Sequence, residues 1–182
     1  MTLSVGGQTR RADLRLQQGP RTQVPAADFQ ASLALSRTIV AGLALARRGF
    51  GEMAAAHEQL TASVAALKAR KAAPDLIARA SMLAEKTAAP AGRPSFPAAS
   101  ATLAAIETDL ESADLPPTEP QRRTVEAQRI QIDALWAAWA ALRDSDLAAL
   151  GPPLAGAGAK AVVIPPPDKL VVKPPAGGED LP

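Results

Sequence analysis

Hydrophobic positions along this chain follow two different periods. Near the start, Leu3 and Val5 alternate with polar neighbours, Gly6-Gly7 interrupts them, and Leu14 and Leu16 alternate again. Period-two patterning around a Gly-Gly pair predicts a β-hairpin. From Ala26 to Ala73 there is no proline and the period changes to that of a helix. Phe29, Leu33, Ser36, Val40, Leu43, Arg47 and Phe50 recur at 4-3 spacing, and after "GFG" the stripe resumes as Met53, His57, Leu60, Val64 and Leu67. The pattern predicts one very long amphipathic helix, or two nearly collinear ones, spanning roughly 70 Å at 1.5 Å per residue. Gly49 and Gly51 each cost a helix about 1 kcal/mol relative to alanine, so any break or kink is expected there.

Three shorter helices follow. Pro25 and Asp28 suit the start of the long helix, and Pro74 with Asp75 opens the next, "DLIARASMLAEKTA", with Leu76, Ala80 and Leu83 on one face. "APAGRPSFP" (Ala89–Pro97) reads as a loop. The third helix, "AASATLAAIETDLESAD", turns Leu103, Ile106 and Leu110 inward, and "LPPTEP" ends it. Thr118 and Gln121 have capping-box spacing, opening a fourth helix with Val125, Gln128, Ile132, Leu135, Trp139 and Leu142 in a bundle seam. Its end is expected near Asp144–Asp146, followed by a short turn that Gly151-Pro152-Pro153 stops. Beyond lies a proline-rich stretch without helical period, expected as an extended tail. In that tail "AVVI" and "KLVV" have the composition of short sheet-edge segments.

Composition thins the core that this pattern implies. Alanine supplies 42 of the 182 residues, so much of the 47% hydrophobic content buries little surface per residue. The aromatics are Phe29, Phe50, Phe96, Trp136 and Trp139, and there is no cysteine, which excludes a disulfide scaffold and thiol chemistry. The net charge of +2 divides unevenly: residues 1–71 carry ten Lys/Arg against four Asp/Glu, residues 72–182 ten against fourteen. With no aromatic or glycine-rich RNA motif beside the basic half, it reads as a helix lying against acidic partner helices, not as a nucleic-acid surface. No basic-then-apolar leader is visible and no apolar run approaches bilayer-spanning length, so no membrane span is expected.

Candidate chemistry is sparse. Trp136 and Trp139 lie on one side of the fourth helix, Trp139 as core and Trp136 at a bundle edge. His57 is the only histidine and is expected at or beside the apolar stripe of the long helix. Glu107/Glu111 and Asp109/Asp114 have the look of paired carboxylates, yet glycosidase work needs two carboxyls across a cleft with one pKa raised. On the wet face of one helix they are expected to be solvated. Asp144 and Asp146 suit capping of the following turn. With no phosphate loop, nucleophile elbow or metal-ligand spacing, no catalytic, cofactor-binding or metal residue is assigned.

The order of parts resembles a known family. "TLSVGGQTRRADLRLQQGPR" running into "ADFQASLAL" and a long helix, then "LESADLPPTEPQRRTV" and "LWAAWAALRDSDLAAL…VVIP", are similar to the C-terminal region of bacterial BNR/Asp-box glycosyl hydrolase-like proteins, the sortilin-like β-propellers. The resemblance covers roughly residues 2–150. It implies that the hairpin is the last strand pair of a β-sandwich whose other strands precede Met1, and that the parent protein is exported. No Asp-box (S-x-D-x-G-x-x-W) occurs here, so no catalytic residue carries over. "GPP" after "DLAAL" departs from the family, whose last helix continues.

These observations together predict a mainly α fold: an antiparallel helical bundle with one very long helix, a β-hairpin over 1–22, the bundle over 23–150 and a proline-rich tail over 151–182. The functional expectation is a non-catalytic accessory region that braces or presents a surface for an upstream propeller and sandwich, or self-associates through the long helix. A free-standing helical protein–protein adaptor is the alternative, and a lipid-surface amphipathic bundle the third.

Overall fold

The computed structural model describes residues 2–13, 24–88, 93–112 and 115–166. β1 (Thr2–Val5) and β2 (Gln8–Arg11) pair antiparallel, with Thr2 opposite Arg11 and Val5 opposite Gln8. Gly6 and Gly7 form the two-residue turn at φ +56° and +78°, values that require residues free of a Cβ clash. The second strand is thus Gln8–Arg11, nearer the turn than the expected one. Leu14 and Leu16 lie outside the described residues.

The fold is mainly helical. α1 (Ala26–Ala69) is one unbroken helix of 44 residues, roughly 66 Å long at 1.5 Å per residue. α2 is Pro74–Thr87, α3 Phe96–Ser112 and α4 Glu119–Ala141. A π-helical turn, Leu142–Leu147, joins α4 to α5 (Ala148–Gly156). α1 ends in a Schellman motif: Lys71 is left-handed at φ 53°, with Ala72 N–H bonded to Leu67 O and Lys71 N–H to Lys68 O. At the start of α4 the capping box forms as expected. Gln121 N–H donates to Thr118 Oγ1 at 3.4 Å and Thr118 N–H to Gln121 Oε1 at 2.8 Å.

The bundle is antiparallel, in three rods. Both α2 and α3 run against α1, one after the other along the same helix. His57 meets the Ala84 carbonyl, then Gly49 meets Phe96 and Gly42 meets Leu103. α4 runs parallel to α1: Ile132 lies by Gly42, Trp136 Nε1 donates to Leu45 O and Trp139 Nε1 to Glu52. Two apolar clusters result. One joins Ile39, Ala46, Phe96, Leu103, Val125 and Ile132; the other joins Leu60, Leu67, Leu83, Trp139, Leu150 and Leu154. Met53 and Trp136 touch both.

Three features differ from the sequence expectation, each for a physical reason. First, the buried line of α1 is Ile39, Gly42, Ala46, Gly49, Glu52, Ala56, Leu60, Ser63 and Leu67. In the N-terminal half this lies one position before the expected stripe, leaving Phe29, Leu33 and Val40 at 37%, 43% and 56% exposure. The glycines are contact points for α3, not breaks: a Cβ on Gly49 would stand 2.4 Å from the Phe96 ring and one on Gly42 2.8 Å from Leu103 Cδ1.

Second, Phe96 and Pro97, assigned to a loop by sequence, form the first turn of α3, with Phe96 in the core. Burial of the Phe96 ring against Gly49 holds that turn in place.

Third, Gly151-Pro152-Pro153 does not stop the helix, which continues to Gly156. Prolines cannot donate to the Ala148 and Ala149 carbonyls, but both alanines are exposed, so water serves them, while buried Leu150 and Leu154 fix the helix. The π-helical turn inserts the extra residue that brings Leu147, Leu150 and Leu154 onto the face of Val125, Ile132 and Trp139. Beyond α5 the chain doubles back along α1. Arg70 donates to Gly158 O, Ser63 to Lys160 O, and Gln59 exchanges two 2.8 Å bonds with the Val163 backbone.

Gly49→Ala is expected to destabilise the bundle by about 1–3 kcal/mol despite alanine's better helix propensity, because overpacking against Phe96 outweighs it. Gly156→Ala, which meets nothing within 4 Å, is expected to be neutral or to stabilise slightly. Urea unfolding of both variants checks the opposite signs.

Candidate functional site

The chemistry-bearing side chains of the described residues gather where α2 ends and α3 begins, against the middle of α1 and the end of α4. Glu52, one residue before the expected stripe position Met53, is 2% exposed and is the buried acid of the fold's centre. Its carboxylate accepts from Trp139 Nε1 at 2.8 Å, Arg48 Nε at 2.9 Å and Arg143 Nη1 at 3.4 Å. The donors come from α1 itself, from α4 and from the π-helical turn. A buried carboxylate needs such partners, since its desolvation is otherwise uncompensated.

Beside it, Arg48 also stacks over the Trp136 ring, its guanidinium carbon 5.2 Å from the ring centroid, and Phe96 meets Trp136 edge-on at 5.7 Å. Trp139 is core at 2% exposure, and half-buried Trp136 covers the bundle edge, as expected of both.

His57 is half-buried, next to the buried line of α1 at Ala56. Its Nδ1 lies 2.8 Å from the Ala84 carbonyl, which can only accept, so Nδ1 carries the proton and donates. Thr87 Oγ1 stands 3.4 Å from the same nitrogen but donates to the Ala84 and Leu83 carbonyls. The pair mimics a nucleophile beside its base. With Nδ1 already protonated by that contact, it is not arranged for the base to take the hydroxyl proton.

A cavity of about 490 Å³ opens alongside. Phe50, Met53, Phe96, Leu135, Trp139 and Leu142 give it apolar walls, and His57, Lys86, Thr87, Arg93 and Ser95 supply its polar groups.

The acidic residues weighed from sequence differ in their surroundings. Glu111 and Asp109 are exposed, and Asp114 lies outside the described residues. Glu107 departs from the solvated expectation: it is half-buried and its Oε2 is enclosed without a hydrogen-bond partner. Its place four residues after buried Leu103 turns it toward the core side of α3.

Neither Asp144 nor Asp146 caps a helix. Asp144 takes a two-pronged contact from Arg143 at 2.7 and 3.1 Å, and Asp146 lies 3.4 Å from Lys86 Nζ. Because the π-helical turn continues directly into α5, no free helix start remains for them. The hydrogen bond from Arg143 is the main cause that holds the Asp144 carboxyl below its ordinary value. Among the described residues no three His, Asp or Glu side chains group as metal ligands.

Glu52, Arg48 and Gln59 escaped the sequence reading. The signal that would have found Glu52 is the Gly42–Gly49 spacing, which sets the buried line one residue earlier. The run-length reading of α1 also needs one correction. By length and composition α1 is apolar enough to cross a membrane, and 17% of that 18-residue window is buried in the bundle. Length and composition alone assign no membrane span, since core helices and leader sequences share them. Compared with family models, curated proteins and solved structures, the chain matches none.

Glu52→Ala is expected to cost about 2–4 kcal/mol in chemical denaturation, since Trp139 Nε1 and Arg143 lose a buried acceptor. Glu52→Gln, which keeps an acceptor oxygen, is expected to cost less. By NMR titration the Asp144 midpoint is expected below the ordinary 3.8 and closer to it in Arg143→Gln. The sign follows from a carboxyl held charged when folded: its contribution is present above pH 3.8 and is lost as pH falls through the lowered value.

Proposed function

We propose that this chain is a non-catalytic helical brace, an accessory region that joins a β-rich neighbour to a stiff rod. The neighbour that fits best is the propeller and sandwich of a BNR/Asp-box glycosyl hydrolase-like protein, on the residues quoted for that resemblance. One observation carries the reading. Among the described residues the hairpin pairs only with itself as a sheet, and Val5 on it is 69% exposed. Two strands alone are marginal in water, and an open strand edge is a template for further pairing. The rod behind it is suited to bracing. α1 is continuous, and two other rods pack along its length, so bending it disrupts both apolar clusters.

A second reading, a free-standing helical adaptor, draws support from the exposed side of α1. Phe29, Leu33 and Val40 share one side of the helix and stay exposed although the opposite side is packed.

Reading the genomic DNA upstream of the Met1 codon tests the first proposal. An in-frame run encoding sandwich strands and Asp-boxes is expected; in-frame stop codons directly ahead of a ribosome site would overturn it and favour the adaptor. Light scattering adds a second discrimination, since the adaptor is expected as a discrete, soluble species and the brace fragment as one that associates through its hairpin.

A further inference from the structure

The cavity beside the end of α2 and the start of α3 combines aromatic and aliphatic walls with cationic side chains. Its volume of about 490 Å³ falls within the roughly 300–1,000 Å³ of small-molecule sites. Its interior is aliphatic and aromatic, while the charges along its lining are of one sign. Lys86 and Arg93 line it, and among the described residues neither aspartate nor glutamate does. Arg93 is exposed and makes no ion pair among the described residues. Lys86 is shared with Asp146 at 3.4 Å, both about half exposed, so its charge is only partly offset. The start of α3, at Phe96, lies in the lining and has no acidic residue in its first turn, and Ser95 Oγ accepts from Ala98 N–H there at 3.3 Å.

We propose that this cavity binds a hydrophobic monocarboxylic acid. The alkyl or ring body packs against Phe50, Met53, Phe96, Leu135 and Trp139, and the carboxylate sits at the side of Arg93 and Lys86. A cationic ligand would meet two positive side chains, and the neighbouring acid, Asp146, is already paired with Lys86. A phosphate dianion would need a denser set of donors than two flexible cations. A single carboxylate on an apolar body matches both the walls and the charge. The inference is independent of the brace reading, because no cavity-lining residue belongs to the hairpin.

Isothermal titration calorimetry of the full chain with decanoate, and with 1-decanol as the uncharged counterpart, tests it. Decanoate is expected to bind saturably at one site per chain, about tenfold or more tighter than decanol. The double variant Lys86→Met/Arg93→Met is expected to lose that margin while leaving decanol binding unchanged. Ala138→Phe projects a ring into the cavity from an exposed backbone position, so the fold tolerates it, and it is expected to abolish both. Titrating decanoate is further expected to change Trp139 fluorescence. No saturable binding, equal affinity for acid and alcohol, or full decanoate affinity in either variant would overturn the proposal.

Discussion

Two glycines on α1 and two large side chains on α3 set the geometry on which the remainder depends. Gly42 and Gly49 are seven residues apart, and so are Phe96 and Leu103, which meet them in antiparallel order. Seven residues are close to two helical turns, so both contacts fall on one seam. Removing the Cβ at each point lets the α3 side chains reach the α1 backbone and brings the axes together. Leu35 and Leu110, another step along each helix, are half-buried in the same cluster. An alanine-rich chain with few aromatics gains most from such close approach, because small side chains bury area only when the backbones are near.

Given that seam, the other packing decisions follow. The side of α1 turned to α3 carries small residues in the N-terminal half, and α4 packs beside it with Val125, Ile132 and Trp139. Glu52 lies where the two apolar clusters meet, and its three donors tie α1, α4 and the π-helical turn together. A buried acid of this kind contributes less to net stability than to choosing one arrangement, since a slipped register takes away Trp139 and Arg143 and leaves only Arg48 of its own helix. The π-helical turn then sets the rotation of α5. Without its additional residue Asp146 would fall on the seam in place of Leu147.

The same asymmetry bears on function. Close packing uses one side of α1 and leaves Phe29, Leu33 and Val40 exposed, so the rod offers a surface its own bundle does not need. At the head of the chain the hairpin exposes Val5, and among the described residues no third strand joins it. Beside the end of α2 and the start of α3 lies a cavity lined by apolar walls and positive side chains. The hairpin, the exposed side of α1 and the cavity occupy separate parts of the molecule.

The amino-acid sequence by itself determined the helices, their order and several of their ends. Pro74, the Thr118–Gln121 box and the Gly6-Gly7 turn act through local sterics and hydrogen bonds within a few residues, so neighbours in sequence suffice to read them. The core role of Trp139 and the edge position of Trp136 were legible for the same reason, as spacing on a single helix. Only the tertiary structure decided which side of α1 is buried, whether Gly49 breaks or joins, and how far the last helix runs past Pro152-Pro153. Periodicity fixes the spacing of apolar positions but not their phase when a helix has two apolar sides. The phase is chosen by the side chains that arrive from elsewhere, here Phe96 and Leu103, and Glu52 becomes a buried acid only once Trp139 and Arg143 are brought to it.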